Sequence, residues 1–416
     1  MRSESSEVGG WVERRRWPVL VGGFLLSLTG GLSYAWGSFV EPLKRDWGWT
    51  TGQATLPFTV LIIVFAMAMI PAGLIQDRIG PRKVAAFGAA TFLMGYGLAG
   101  LLERIPTPTW LVLSYGVVNG IACALTYACV APTARKWYPD RPGFAVSCGV
   151  MGFGLAATVF APLKKTMIAT WGIGGTLFAL GLFAASCAFV GAWLVRNPPE
   201  GWIAPRRPDA SLHPFSRPAT FGDVSPARFV RTPMFYMLWL ALAAVIGGGL
   251  TAIGLLTSYG ELELRASPPV AALAVSFFAL VNGLGRPLAG WLADRIGTVR
   301  VMMIVYTIQA GVFLTLPWIA TSMPRLIICS ILLGMGYAAT FALFPVVVAA
   351  GFGTKHLGMN YGLVFSAFGL GAVTGLIGAR LLDATGSFTP AFLLAGATTL
   401  TGLILLLMLY RKFGIR

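Results

Sequence analysis

The chain is 416 residues long, and 56% of its residues are hydrophobic while 11% are charged. Because soluble domains carry roughly 25% charged residues, and because the mean hydropathy is +0.76, this composition excludes an ordinary water-soluble protein. The net charge of +16 does not indicate nucleic-acid binding, because the Lys and Arg residues lie in short loops between apolar stretches.

The apolar stretches fall into two sets of six. In chain order they are 18–40, 52–76, 83–102, 108–134, 143–168 and 172–195, then 233–259, 268–293, 299–319, 323–350, 357–382 and 387–411. Each is long enough to cross a bilayer at about 20 residues per crossing, and in lipid each should be a helix. We therefore predict an all-α membrane protein with 12 transmembrane helices in two pseudo-symmetric bundles, 1–195 and 233–416, joined by a Pro- and Arg-rich linker, 196–232.

The basic residues indicate topology. Most of the 31 Lys and Arg residues belong to the side that holds both termini and the linker. A smaller group, which includes Lys44, Arg45, Lys164 and Lys165, is assigned to the other side. This bias predicts cytoplasmic termini and a multi-pass protein of the bacterial inner (plasma) membrane.

One motif occurs twice, at residues 72–80 and 289–297, with its aspartates 217 residues apart. The repeat predicts two parallel six-helix units that share a central site, as in the major facilitator fold. In each copy an Asp ends a helix, a Gly makes a tight turn and an Arg lies beside the Asp. We interpret the motif as a gate that latches one half to the other. The alternative is that its residues serve only to set the topology and the turn. The gating candidates are Gly73, Asp77, Arg78, Gly80, Arg82, Gly290, Asp294, Arg295 and Gly297.

Arg286 is the informative charge, because it lies mid-membrane in the eighth segment, where an unpaired charge is costly. Arginine cannot lose its proton to avoid that cost. Its counterpart in the first half is Met69, and the residue one turn before it is Asn282. The simplest missing partner is an anionic substrate held by the guanidinium fork. The alternative is a structural arginine that binds helix carbonyls or reaches the interface.

The rest of the substrate site is predicted from polar and aromatic residues at similar depth. Tyrosine and asparagine can donate to a carboxylate, and phenylalanine can line an apolar wall. With Arg286 and Asn282, the candidates are Tyr337, Phe341, Phe365, Asn119, Tyr127, Tyr34 and Leu28. Glycines that should allow close helix contact are Gly149, Gly152, Gly154, Gly358, Gly362, Gly369, Gly371 and Gly375.

Catalysis is not indicated. The five cysteines lie in apolar runs without metal-ligand spacing, and the sequence has no phosphate-cradling loop. We therefore expect neither an enzyme nor a metal or cofactor. The expected partners are the substrate, a proton and the lipid bilayer, and no nucleic acid.

Several runs resemble the oxalate/formate antiporter and monocarboxylate transporter branch of the major facilitators. They are Tyr34-Ala35-Trp36, Trp47-Gly48-Trp49, Arg135-Lys136-Trp137-Tyr138-Pro139, Asn282-Gly283-Leu284-Gly285-Arg286-Pro287 and Asn360-Tyr361-Gly362. The resemblance implies carboxylate substrates, alternating access, and Arg286 as the carboxylate-binding arginine.

Two departures from that branch refine the expectation. The antiporter's eleventh helix carries a lysine, whereas residues 365–369 here contain none. One central cation suits one carboxylate, such as lactate or pyruvate, because a dianion would leave a buried charge uncompensated. The animal transporters have an Asp where Asn282 stands, which puts the proton-coupling mechanism in doubt.

The leading hypothesis is a monomeric, proton-coupled monocarboxylate symporter, with Glu41, Asp383 or the substrate carboxylate itself as candidates for the proton carrier. The alternative is a carboxylate antiporter of the oxalate/formate type. A drug or sugar carrier of the same fold is a further alternative, but the predicted helices contain few of the buried acids and amides that such carriers use. A sensor would bind the ligand without transporting it.

Overall fold

A computed structural model of the chain describes residues 2–199 and 219–414, with side chains from Arg16 onward. The helices are α1 (Arg2–Gly31), α2 (Gly37–Trp47), α3 (Thr51–Ile79), α4 (Pro81–Ala99), α5 (Pro108–Leu111), α6 (Asn119–Tyr127), α7 (Val130–Trp137), α8 (Pro142–Leu194), α9 (Pro226–Phe229), α10 (Pro233–Leu262), α11 (Pro268–Ile296), α12 (Thr298–Ile319), α13 (Met323–Phe352), α14 (Leu357–Phe365), α15 (Ala367–Thr385) and α16 (Thr389–Phe413). The predicted linker lies outside the described residues over 200–218.

Eleven helical stretches of the described chain are long and apolar enough to cross a membrane. The longest, α8, has 53 residues and a non-helical backbone at Gly172, with φ at 69°. Gly23 of α1 packs against Gly149 in the first arm of α8, and Gly22 packs against Gly191 in the second. The two arms therefore run antiparallel along α1, and the twelve predicted crossings are confirmed as an all-helical fold.

Two helix pairs form most of the contact between the halves of the chain. In each half the helices pack mainly on one another, α1 and α4 on α8, and α10 and α12 on α16. Between the halves, α8 packs on α11 and α3 packs on α14. Glycine permits both approaches, since a Cβ at Gly154 would lie 2.7 Å from the Gly283 Cα and one at Gly358 would lie 2.7 Å from the Gly73 carbonyl oxygen. The prediction of a close contact is wrong for Gly369, which has nothing within 4 Å of its ideal Cβ.

Several crossings are interrupted. A 3₁₀ segment, Leu32–Ala35, separates α1 from α2, and a π-helical segment, Val112–Val118, separates α5 from α6. The break between α14 and α15 falls at Ser366, whose hydroxyl accepts a 2.9 Å hydrogen bond from the Trp239 indole N–H. Interrupted helices at membrane depth occur where the backbone is buried in protein or lines a cavity.

Lys164 adds a feature that its sequence position did not reveal. It lies in the predicted crossing 143–168 and was counted with the side opposite the termini, and its side chain is fully buried in the first arm of α8. That arm continues past it to Gly172, so this lysine is buried within the helix bundle.

Candidate functional site

Arg286 joins the two halves of the protein at the α8–α11 interface. Its Nε–H donates to the Asn282 carbonyl oxygen at 3.1 Å, and an Nη2–H donates to the Asn282 side-chain Oδ1 at 3.2 Å. From across the interface, the Val150 carbonyl oxygen accepts from Nη1 at 2.6 Å. The guanidinium is fully buried, so it is held rigidly between one half and the other.

Among the described residues, no carboxylate forms an ion pair with this charge. The ion pairs of the described residues are Arg16–Asp140, Lys44–Glu41, Arg45–Asp46 and Arg141–Asp140, none of which includes Arg286. Carbonyl and amide oxygens occupy three of the five guanidinium N–H donors, and the other two form no hydrogen bond of normal geometry among the described residues. Both interpretations of Arg286 are thus compatible with the structure, because carbonyls hold the side chain in place while the described part of the chain provides no counter-ion for its charge.

A layer of aromatic rings surrounds the arginine. The Arg286 Cζ lies 5.1 Å from the centre of the Phe341 ring. From Phe341 the rings continue to Tyr337 at 5.0 Å and to Phe365 at 6.2 Å. Phe365 then contacts Phe65 and Tyr127 of the first half, at 5.1 and 5.7 Å. The rings therefore close over the guanidinium from both halves, as a site shared by the two repeats requires.

Tyrosine hydroxyls give this apolar layer polar groups. The side chains of Tyr34, Tyr127, Tyr337 and Tyr361 all interact electrostatically with Arg286. The hydroxyl oxygens of Tyr127 and Tyr337 are buried, and neither forms a hydrogen bond of normal geometry within the described part of the chain. The Tyr127 hydroxyl interacts with Tyr361 and Arg286, and the Tyr337 hydroxyl interacts with Tyr34. Since buried polar groups are normally paired, these strained contacts form a polar group beside the arginine that a ligand could engage.

The two motif copies form matching latches between the halves. Asp294 accepts from the backbone N–H groups of Gly143 and Phe144, at 2.7 and 2.8 Å, where α8 begins. Asp77 accepts from the N–H groups of Gly358 and Met359, at 3.1 and 3.0 Å, where α14 begins. A carboxylate at a helix N-terminus satisfies unpaired N–H groups and the helix dipole. We call the membrane side that carries Asp77 and Asp294 the motif face, and on it both carboxylates join the two halves.

The family model described as Major Facilitator Superfamily matches residues 19–262 and 241–413. This chain belongs to the Major Facilitator Superfamily. It is 27% identical over 402 residues to the oxalate:formate antiporter of Oxalobacter formigenes, with 96% of this chain and 92% of that protein covered. It is 24% identical to monocarboxylate transporter 13 of Rattus norvegicus, with 98% and 90% covered.

Among solved structures, the fold is similar to that of FucP, a Major Facilitator Superfamily transporter in the outward conformation. The TM-score is 0.70 at 15% identity, with 94% of this chain and 98% of FucP covered. At that identity the similarity concerns the fold. The chain is accordingly a multi-pass integral membrane protein of a transporter superfamily, and its relatives are transporters rather than enzymes.

Most of the site residues predicted from sequence lie together in this major facilitator. Asn282, Tyr337, Phe341, Phe365, Tyr127 and Tyr34 all belong to the group around Arg286. Two candidates lie elsewhere. Asn119 packs against Gly95 in α4, and Leu28 is half-buried on α1, where its backbone nitrogen would lie 2.8 Å from a Cβ at Gly152.

The motif residues divide into two kinds. Gly80 and Gly297 have positive φ, 87° and 100°, where the chain turns into the next helix, and Gly73 and Gly290 lie against the opposite half. The basic residues Arg78, Arg82 and Arg295 are exposed, and the described residues offer them no ion pair; Arg295 lies over the Trp291 ring at 3.9 Å. The aspartates and glycines, rather than the arginines, make the contacts of the closed latch.

Sequence reasoning missed three side chains of the site and the burial of a fourth residue, Lys164. Phe65, Phe153 and Tyr361 belong to the ring layer, and Lys164 is buried farther along α8. Tyr361 could have been found, because it stands in one of the runs that resemble the family. Lys164 could also have been found, since it lies inside an apolar segment, where a charge indicates function.

Proposed function

We propose that this major facilitator is a secondary transporter that moves a small monocarboxylate, such as lactate or pyruvate, together with a proton by alternating access. The observation that carries the proposal is the buried, acid-free Arg286 beneath rings from both halves. A carboxylate can accept from the two guanidinium N–H groups that no carbonyl or amide oxygen occupies and from the Tyr127 and Tyr337 hydroxyls, replacing the contacts that these groups make with one another. The aromatic rings would enclose a short apolar tail.

Charge supports a substrate with one carboxylate. The residues 357–385 of α14 and α15 contain no lysine, and their only arginine, Arg380, is near the outer end. A second carboxylate would be buried among phenylalanine rings without a partner, which is strongly unfavourable. The relatives named above as carrying oxalate, formate or monocarboxylates agree with an anionic substrate class.

Alternating access follows from the position of the latches. Both lie on the motif face, which we place in the cytoplasm with the termini and the linker, so the described state is closed to the cytoplasm. Breaking the Asp77 and Asp294 contacts would let the halves rock about Arg286 and expose the site to that side. One copy of the chain contains every contact in this scheme, so we propose that it functions as a monomer.

Carboxylate exchange is the second candidate, and one contact favours it. Arg286 bridges the halves by donating to Val150, and without a substrate the cation remains uncompensated. If the empty carrier cannot reorient for that reason, only loaded forms cross and exchange becomes obligatory. The similarity to an oxalate:formate antiporter points the same way.

Uptake of radiolabelled L-lactate into proteoliposomes tests both candidates. Wild type is compared with Arg286→Gln, which removes the charge, and Arg286→Lys, which keeps the charge but loses the planar fork. Gradient-stimulated uptake that is lost in the Gln variant and weakened in the Lys variant supports symport with the carboxylate on Arg286. Rapid counterflow in preloaded vesicles without gradient stimulation supports exchange. Unchanged uptake by Arg286→Gln contradicts both.

A further inference from the structure

A second cation is buried in the membrane part of the chain. Lys164 has no exposed surface and is among the largest fully buried side chains of the described residues. Its Nζ makes one hydrogen bond, at 2.7 Å, to the Leu32 carbonyl oxygen, and lies 5.3 Å from the Phe39 ring centre. Burying an ammonium with so few partners is costly, which calls for an explanation beyond packing.

The bonded carbonyl stands at an interruption. Leu32 opens the 3₁₀ segment Leu32–Ala35 between α1 and α2. Two residues later, Tyr34 contacts the Phe153 ring at 4.9 Å and interacts electrostatically with Arg286. Lys164 therefore holds the break in the first crossing, from which one aromatic residue of the substrate site projects.

We propose that Lys164 is the group that carries the coupled proton. The proposal rests on the symport function above and names the coupling site that it needs. A lysine can alternate between ammonium and neutral amine when buried. Either form can donate to the Leu32 carbonyl, but the ammonium donates the stronger, charge-assisted bond. Gain or loss of the proton thus changes how tightly the break is held without removing the bond.

The other titratable groups of the described residues suit this role less well. Arg286 keeps its proton at all relevant pH. Asp77 and Asp294 bind backbone N–H groups in the latches. The two acids expected to carry the proton are both on the surface, since the Glu41 side chain is 79% exposed in a pair with Lys44 and Asp383 is exposed.

No charged neighbour fixes the state of Lys164. The elements packed against this stretch of α8 bring several charged groups, most of them paired among themselves or exposed. They are Glu41, Lys44, Arg45 and Asp46 on α2, Glu103 beside Gly172, and Lys165 on α8 itself. The charges of α1, α4, α7 and α13 lie at the ends of those helices, and α11 brings Arg286 and the motif residues. None forms an ion pair with Lys164 in the described part of the chain, so its proton is not locked in place.

Charge accounting agrees with coupling. In the loaded carrier, the carboxylate neutralises Arg286 and the proton makes Lys164 positive. In the empty carrier, Arg286 is positive and Lys164 is neutral. The buried charge is one positive unit in both forms, so both can reorient at similar electrostatic cost. By linkage, if the proton strengthens carboxylate binding through Tyr34, then the carboxylate strengthens proton binding at Lys164.

The decisive comparison uses Lys164→Arg and Lys164→Gln, with the exposed neighbour Lys165→Gln as the matched control. Arginine keeps the charge and the donor but cannot titrate, and glutamine keeps a donor without charge. For each protein, L-lactate uptake is measured with and without an inward proton gradient, together with counterflow at equal pH. We expect both Lys164 variants to lose gradient stimulation while counterflow persists, and Lys165→Gln to behave as wild type.

The other outcomes overturn the assignment in distinguishable ways. Gradient stimulation that survives in Lys164→Arg shows that this residue does not carry the proton. Loss of counterflow in both variants, with thermal unfolding as in wild type, shows a structural tether instead. Counterflow without gradient stimulation in wild type removes the need for a proton site while leaving a carboxylate carrier. Failure of wild type in both assays refutes the proposed function itself.

Discussion

The two helix pairs that join the halves differ in chemistry although the repeat makes them alike in shape. At α8–α11 the Asp294 latch is followed, two turns deeper, by Arg286 and its bond to Val150. At α3–α14 the Asp77 latch is followed at the equivalent depth by Met69, whose carbonyl lies against Gly362. Both interfaces close the motif face, but only one carries a charge in the membrane.

This asymmetry separates mechanics from recognition. The shared parts, an Asp on a helix N-terminus and glycines that let backbones touch, are what a symmetric gate needs. The unshared part, a cation where the other half has an apolar side chain, has no mechanical counterpart. In our proposal, the difference places the charged part of substrate recognition on α11, whereas α3 contributes the Asp77 contact and one ring of the aromatic layer, Phe65.

The largest expected effect comes from making the two interfaces alike. Arg286→Met places the counterpart residue of α3 in α11. Loss of a buried, hydrogen-bonded charge pair with the substrate costs about 2–5 kcal/mol, and each 1.4 kcal/mol is about tenfold in affinity. We expect L-lactate affinity to fall by at least about 30-fold, as measured by concentration-dependent counterflow.

Met69→Leu is the matched control, because it is a volume-conserving change at the equivalent buried position. It should leave affinity near that of wild type. Equal losses in the two variants would mean that packing at this depth, rather than charge, determines affinity.

The fold was predictable because a bilayer leaves the backbone few choices. Apolar runs of sufficient length must be helices, and the Asp–Gly motif marks where crossings end, as the positive φ values of Gly80 and Gly297 show. Arg286 was predictable for a related reason, since a charge inside an apolar membrane segment is energetically costly unless it has a partner.

The remainder of the site depended on information that one sequence does not carry. An aromatic residue in an apolar helix gives no sign of which face it occupies, so Phe65 and Phe153 went unnoticed while Asn119 was placed in the site. The Val150 carbonyl is a backbone acceptor, which every residue has. The burial of Lys164 was not predictable because the residue lies near the end of its predicted segment, and only the structure shows that the helix continues to Gly172 and that the side chain is buried.

An intermediate effect is expected from the latches. Asp294→Asn and Asp77→Asn each remove the charge that strengthens two backbone hydrogen bonds, and such bonds contribute about 1.5–3 kcal/mol each. The Asp294 bonds are shorter, at 2.7 and 2.8 Å against 3.1 and 3.0 Å for Asp77. We therefore expect Asp294→Asn to open the motif face more than Asp77→Asn does.

Spin labels at the exposed positions Arg82 and Arg300, one in each half, report that opening in a cysteine-depleted protein. The long-distance population should rise in the order wild type, Asp77→Asn, Asp294→Asn. Identical distance distributions in all three proteins would show that the carboxylate contacts do not hold the face closed.

The smallest effect concerns glycine contacts, and it sharpens the same comparison. An added Cβ at Gly154 would lie 2.8 Å from the Asn282 carbonyl oxygen, the acceptor of the Arg286 Nε–H. A Cβ at Gly358 would instead lie 2.7 Å from the Asp77 carboxylate. Overpacking of this kind costs about 1–3 kcal/mol. Gly154→Ala should therefore disturb recognition, and Gly358→Ala should disturb the gate.

The measurement that separates the two glycine variants is the split between apparent affinity and maximal rate of L-lactate counterflow. Gly154→Ala should weaken affinity several-fold because it displaces the backbone that orients the guanidinium. Gly358→Ala should change the rate with affinity nearly unchanged, and Gly369→Ala, where a Cβ meets nothing within 4 Å, should change neither. If Gly358→Ala weakened affinity as much as Gly154→Ala, both interfaces would contribute to substrate recognition. That result would contradict the assignment of recognition to the interface that carries Arg286.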